Sequence, residues 1–294
     1  MKLAVIDIGS NAIRFQVTNI LHYEGVDHFK RLEYVRFPLR LGQDVFSSGR
    51  LMPLRIDKFH KLMKAFSLLI ELYEVDHYMA CATSAMRESE NGREVAAQIK
   101  KQTGLEIQII DGAQEAKLIN KAISEHLDAR LSYMHIDVGG GSTELNLIRI
   151  GNLIGSKSFQ IGSVRRMDHL DSPEIWSEME HWITSTTDVS ELRTAIGTGG
   201  NINKLFELGG KVKGQQMQLT ELKEVQKMLV ETSLQDKIYK LQLNPDRADV
   251  IVPASEIYIS VMERGGIDGI IVPDVGLKDG MIKMLYETHS DVLH

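Results

Sequence analysis

Asp7-Ile8-Gly9-Ser10-Asn11 returns 130 residues later as Asp137-Val138-Gly139-Gly140-Gly141-Ser142. The two stretches align without a gap: Asp7 on Asp137, Gly9 on Gly139, Ser10 on Gly140, Asn11 on Gly141 and Arg14 on Glu144. Each copy follows a short apolar run, Leu3-Ala4-Val5-Ile6 or Tyr133-Met134-His135-Ile136, that reads as a buried strand running into a tight turn. Each is followed by a second strand, marked by Phe15, Val17 and Ile20 in the first copy and by Leu145 to Ile150 in the second. A hairpin that occurs twice, each time opening a unit of strands and helices, predicts a duplicated α/β fold with a cleft between its halves.

The pattern between and after the hairpins agrees. His28 to Pro38 reads as a third strand closing a meander. Phe59, Leu62, Met63, Phe66, Leu69, Ile70 and Tyr73 recur at helical spacing behind Pro53, a residue suited to a first turn. Val75 to Ala82 returns to strand, Asn91 is placed to cap a helix that Gly104 ends, Ile107 to Ile110 is a short strand, and Gly112 to His126 a helix. Domain one is expected at residues 1–125 and domain two at 126–294, with a final helix at about 276–287 packing back over domain one.

Composition narrows the class. A chain of 294 residues has room for two cores, and 43% hydrophobic with 25% charged residues is a globular balance. The net charge of -6 argues against a general nucleic-acid binder, so any polyanion must meet positive charge gathered locally. One cysteine, Cys81, allows no internal disulfide and no cysteine metal site; it lies in an apolar run and reads as a core residue. Asp7 interrupts the N-terminal apolar run too early for a signal peptide, and no stretch is long enough to span a bilayer. A cytoplasmic protein with no membrane partner is the expectation.

Gly-rich turns between strands present backbone N–H groups in a concave nest, the usual cradle for phosphate. Gly9-Ser10-Asn11 and Gly139-Gly140-Gly141-Ser142 are two candidates, with the hydroxyls of Ser10 and Ser142 as added donors. Gly197-Thr198-Gly199-Gly200-Asn201 opens a helix and is a third, unless it is a plain strand-to-helix turn. Asp7 and Asp137 end buried strands; they suit magnesium in a phosphate site, or are ordinary turn aspartates. Strand alternation sets Glu144 on the face opposite Leu145 and Leu147. Glu115 stands at a helix start, where an acid is also favoured by the helix dipole.

At these residues the chain resembles the exopolyphosphatase and guanosine pentaphosphate phosphatase family, within the superfamily of actin, sugar kinases and heat-shock chaperone ATPases. The resemblance rests on the two Asp-Gly turns with Arg14 and Glu144, on Arg40-Leu41-Gly42, and on Ala82-Thr83-Ser84-Ala85-Met86-Arg87-Glu88. It continues through Gly112-Ala113-Gln114-Glu115-Ala116, Gly162-Ser163-Val164-Arg165, Gly197-Thr198-Gly199-Gly200, Arg247-Ala248-Asp249 and Gly276-Leu277-Lys278-Asp279-Gly280. It implies two actin-like, ribonuclease H-like domains and hydrolysis of a terminal phosphate from polyphosphate or a guanosine polyphosphate. Glu115 would be the general base that orients water. Asp137 and Glu144, with Asp7, would hold Mg²⁺, with a monovalent cation such as K⁺ as a further candidate. Gly9, Ser10, Asn11 and Arg14 would form one phosphate loop, Gly139, Gly140, Gly141 and Ser142 the other, with Gly199 beside them and Arg87 at the phosphate. Family members are often homodimers.

Departures are visible. Ala12 stands where the family often has Ser or Thr, and Lys278-Asp279 where Arg-Glu is common. The sequence stops at His294, without the helical part bearing a His-Asp motif that longer members carry, which shifts the expectation toward short chains or nucleotides. The rival readings are a small-molecule kinase of the same superfamily and a non-catalytic guanosine polyphosphate sensor.

Overall fold

The computed structural model describes residues 1–186 and 193–290. It divides into two compact units: Met1–Ala122 joined by the segment from Leu277 onward, and Ile123–Gly276.

In the first unit, β1 (Lys2–Ile8), β2 (Ile13–Tyr23) and β3 (Val26–Phe37) form an antiparallel meander. Helices α1 (Leu41–Ser48) and α2 (Pro53–Leu72) follow, then β4 (His77–Ala82), α3 (Ser84–Glu88), α4 (Gly92–Thr103), β5 (Ile107–Ile109) and α5 (Gly112–Ile123). The sheet order is β3-β2-β1-β4-β5, with β4 and β5 parallel to β1. Because β1 is central, both its faces are covered and Leu3 to Ile8 are all buried, which explains an unbroken apolar run in place of alternation. On one face Ala4, Ile6, Phe15 and Val17 pack on Phe59, Met63 and Phe66 of α2, and the rings of Phe15 and Phe66 stack at 4.8 Å. Each fully buried Ile or Phe contributes about 1.5–3 kcal/mol, so this layer holds the strand ends rigidly.

The second unit repeats the plan. After a single 3₁₀ turn at Ser124–His126 come β6 (Ser132–Val138), β7 (Thr143–Arg149), β8 (Asn152–Phe159), α6 (Ser163–Met167) and α7 (Pro173–Thr186). Then follow β9 (Thr194–Thr198), α8 (Gly200–Leu208), β10 (Gln216–Gln218), α9 (Leu219–Glu231), α10 (Leu234–Tyr239), α11 (Pro245–Ala248), α12 (Ile251–Arg264) and β11 (Gly269–Ile271). The last helix, α13 (Leu277–Ser290), returns to the first unit and packs on β1. The second sheet reads β8-β7-β6-β9-β11-β10. Set beside the first, it has the same three-stranded meander and the same parallel strands on the inner side of the first strand. The fold is the duplicated actin-like α/β architecture.

Three local features differ from the sequence expectation. The short helices α1, α3 and α6 carry too few turns to show a period. The helix expected to run to His126 ends at Ile123 and tightens into 3₁₀ geometry. Asn91 occupies the N-cap of α4 but makes no side-chain cap bond. Its amide is spent on Leu51, accepting from the N–H at 2.9 Å and donating to the carbonyl at 3.0 Å.

Candidate active site

The two Asp-Gly turns close by the same bond: Gly9 N–H donates to Ala12 O at 3.2 Å and Gly139 N–H to Ser142 O at 2.9 Å. In each, the outer carbonyls are held by the helix that follows the meander. Arg40 N–H reaches Asn11 O at 2.9 Å and Gly42 N–H reaches Ser10 O at 2.8 Å. In the second turn Ser163 N–H binds Gly139 O and Val164 N–H binds Gly140 O, both at 2.9 Å, while Arg165 Nε donates to Gly141 O at 2.7 Å. A trans peptide sets each N–H opposite the preceding carbonyl. Fixing these carbonyls toward the helices therefore turns the amides of Asn11 and Ala12, and of Gly140, Gly141 and Ser142, the other way. Each turn thus presents successive amides on one side, an arrangement suited to an anion.

The rung beneath each turn differs. In the first, Asp7 lies opposite Arg14 in the β1–β2 register, and the two form an ion pair at 2.8 Å. In the second, Asp137 lies opposite Glu144. Acid-plus-base in one copy and acid-plus-acid in the other make the duplicated turns chemically unequal. One presents a guanidinium, the other two carboxylates.

In the first unit the remaining candidates gather around Asp7. Ser10 is buried, and its hydroxyl accepts from Ala85 N–H at 3.2 Å and meets Ser84 Oγ at 2.8 Å. Its side chain thus pins the start of α3, which carries Arg87. Arg87 Nη1 donates to Ile110 O at 2.9 Å and stands 3.7 Å from Glu115 Oε2. Helix α5 begins with a reciprocal cap: Gln114 N–H donates to Asp111 Oδ1 at 2.8 Å and Asp111 N–H to Gln114 Oε1 at 3.0 Å. This locks the first turn on which Glu115, 7% exposed, is held.

Cys81 is the register partner of Asp7. Burial pushes its thiol up to about 12, and the nearby charges of Asp7 and Glu115 add to the effect. Stability from the buried thiol is complete below the thiol's ordinary range and is lost as pH rises toward 12. At pH 8, Cys81 of the folded protein is expected to react with a thiol-reactive disulfide at least ~100-fold more slowly than in urea. Labelling at the unfolded rate would show that this strand end is open.

In the second unit Asp137, Glu144 and Gly199 come together. A Cβ on Gly199 would lie 3.0 Å from Asp137 Oδ1, so the third glycine run abuts the acid. Glu144 is buried, and its Oε1 accepts from Ser158 Oγ at 2.9 Å. Tyr258 of α12 ties the strand ends together, donating to Thr198 O at 2.6 Å and accepting from Val138 N–H at 3.3 Å. Burial, then the charge of Asp137, raises its hydroxyl well above the ordinary range. Below the acid pair lies His135, fully buried, between Asn146 Nδ2 at 2.8 Å and Thr198 Oγ1 at 2.9 Å. Burial lowers its pKa to about 3, so the ring is neutral.

Sequence reasoning assigned Tyr258 no role and His135 only a place in a buried strand. Nothing marks Tyr258 beside a turn 120 residues away. His135 and Asn146 did carry a signal, since each is two residues from an acid and hence on its face of the strand.

Among the described residues no group of three or more His, Cys, Asp or Glu side chains forms a metal cluster. An oxygen-only pair, Asp137 with Glu144, does fit magnesium, which is commonly held by one or two carboxylates together with substrate phosphates and water. No helix among the described residues is long and apolar enough to cross a membrane.

The chain is 25% identical over 310 residues to exopolyphosphatase 2 of Mycobacterium tuberculosis, covering 95% of this chain and 97% of that one. It is 23% identical over 301 residues to the guanosine-5'-triphosphate,3'-diphosphate pyrophosphatase of Aeromonas hydrophila, covering 98% of this chain and 60% of the relative. The crystal structure of an exopolyphosphatase from Cytophaga hutchinsonii superposes with a TM-score of 0.85 at 22% identity, over 98% of both chains. With the model for the Ppx/GppA phosphatase family matching residues 22–289, the chain belongs to that family.

Proposed function

We propose that this phosphatase releases terminal orthophosphate from inorganic polyphosphate, or from guanosine pentaphosphate, by attack of a water that Glu115 orients. The observation that carries this reading is the pair of turns closed alike, with their carbonyls drawn back and their amides presented, one above Asp7–Arg14 and the other above Asp137–Glu144. Each such cradle suits a phosphate group of an anhydride chain. The named activities of the relatives support the same substrate class.

Phosphoryl transfer asks the protein for in-line positioning and charge neutralisation rather than covalent help. The amides of the two turns and the guanidinium of Arg14, oriented by Asp7, bind the chain. Arg87, 3.7 Å from Glu115, offsets charge on the equatorial oxygens of the terminal phosphate. Glu115 accepts a hydrogen bond from water and takes its proton as the water oxygen bonds to the terminal phosphorus; the bridging oxygen leaves with the electron pair. Asp137 and Glu144 would hold Mg²⁺, which when bound neutralises charge on the phosphate oxygens and on the leaving group.

A panel of short polyphosphate, long polyphosphate, guanosine pentaphosphate and ATP, assayed for orthophosphate with Mg²⁺ and with EDTA, tests the reading. Magnesium-dependent release from one of the first three is expected. Phosphate release from none, or phosphorylation of an added sugar by ATP, would defeat it.

Gly162 provides a test of the second cradle. A Cβ there would lie 2.5 Å from Gly140 O and from Gly141 C, so Gly162→Ala must displace the turn. The expected result is at least a tenfold loss of kcat/KM, about 1.4 kcal/mol of transition-state stabilisation, beside the stability loss of about 1–3 kcal/mol that overpacking usually brings. Unchanged phosphate release by this variant would separate the turn from the reaction.

A further inference from the structure

Two carboxylates directly opposite each other at the end of a hairpin repel, and like charges in that position weaken strand pairing. Asp137 and Glu144 are such a pair. The rung below them is not the apolar one a stability-driven sheet would have. His135 pairs with Asn146 in the same register, and Thr198 of β9 is the register partner of Asp137 itself. The three side chains are at most 1% exposed and joined in one line, Asn146 Nδ2 donating to His135 Nδ1 at 2.8 Å and His135 Nε2 meeting Thr198 Oγ1 at 2.9 Å. The line crosses β7, β6 and β9. Asn146 Oδ1 is left buried without a hydrogen-bond partner, as is Oε1 of the aligned Gln16, so what sets the second unit apart is the line across its strands and not the orphaned oxygen.

The duplication supplies an internal control. In the first unit the position aligned with His135 is Val5, paired with Gln16 below Asp7–Arg14. There the rung lies under an attractive ion pair and carries no line across the strands: Val5 is apolar, and Gln16, aligned with Asn146, donates its Nε2 to Thr18 Oγ1 on its own strand at 3.0 Å. The polar brace occurs under the repulsive pair.

We infer that His135, Asn146 and Thr198 are positioning residues that brace β6, β7 and β9 so that Asp137 and Glu144 keep a fixed separation despite their repulsion. The inference rests on the assignment of that pair to a divalent cation. Hydrogen-bonded groups behind metal-ligating side chains typically change metal affinity or activity 10–100-fold when removed.

The test compares the full chain with His135→Val/Asn146→Val, which gives the second unit an apolar rung, and with His135→Gln, which keeps polar atoms on both sides. Binding of Mn²⁺, counted by the electron paramagnetic resonance of the free ion, is measured beside thermal unfolding and steady-state kinetics. The double variant is expected to unfold within a few degrees of the wild type, to bind Mn²⁺ at least tenfold more weakly, and to lose at least tenfold in kcat with KM for substrate changed less than threefold. His135→Gln is expected to recover part of the affinity. If the double variant does not fold, Thr198→Val, which removes one end of the line, is measured instead with the same expectations. Equal Mn²⁺ affinity and kcat in a folded variant, or no Mn²⁺ binding by the wild type, would overturn the inference. A wild type that binds Mn²⁺ yet releases phosphate from no substrate would count against the proposed reaction while the binding comparison still decides the brace.

Discussion

Glu115→Gln is expected to release orthophosphate at about one hundredth to one ten-thousandth of the wild-type rate, the range supplied by a positioned general base. The amide has the shape of the acid but cannot take a proton from water. The fold should be untouched, because what locks the first turn of α5 is the reciprocal bonding of Asp111 and Gln114, and Arg87 keeps its bond to Ile110 O. Thermal unfolding and circular dichroism should therefore match the wild type while KM changes little. A variant that turns over at the wild-type rate would remove Glu115 from the chemistry and leave the carboxylates of Asp137 and Glu144 as the next candidates. A variant that is slow only because it is unfolded would be exposed by the same melting curve.

Gly280→Ala is expected to be among the most destabilising single-methyl additions in the molecule. Gly280 lies on α13, and a Cβ there would meet the carbonyl oxygen of Leu118 at 1.8 Å. Leu118 is on α5, so the obstruction is backbone against side chain, with no flexible tip to move aside. Overpacking usually costs about 1–3 kcal/mol and occasionally more; a clash with backbone places this substitution at the top of that range, ~3 kcal/mol. Helix α5 also carries Glu115, so the displaced helix should lose phosphate release in the fraction that remains folded. Urea unfolding read beside activity checks both effects. A midpoint within ~0.5 kcal/mol of wild type would mean that the close approach of α13 to α5 is not maintained in solution.

Much of this was readable from residues in order. The duplication was visible because Asp-Gly turns and flanking apolar strands are short-range signals, and the register later paired Asp7 with Arg14 and Asp137 with Glu144, the positions that align across the repeat. The helix behind Pro53 was visible because twenty residues, Pro53–Leu72, give the period room to show. The five-residue helices α3 and α6 were not, although they draw back the carbonyls of the second turn and carry Arg87. Nor was the work done by Ser10, whose hydroxyl looked like a phosphate donor and is tied to Ser84 and Ala85. Asn91 failed as a cap because Leu51, forty residues away, offered both a donor and an acceptor. Tyr258 shows the same limit: its partners Val138 and Thr198 become neighbours only when the sheet has formed. Local turn chemistry is written locally; the side chains that fasten one element to another depend on pairings that spacing does not encode.

In the proposed reaction water, not another acceptor, attacks the terminal phosphorus. Hydrolysis of a short polyphosphate in ¹⁸O-enriched water, with the released orthophosphate and the shortened chain weighed by mass spectrometry, tests it most directly. One ¹⁸O in each released orthophosphate and none in the remaining chain is the expected result. Unlabelled orthophosphate with label in the shortened chain would place the attack on the neighbouring phosphorus, and loss of the terminal phosphate with no label in either product would show transfer to a different acceptor.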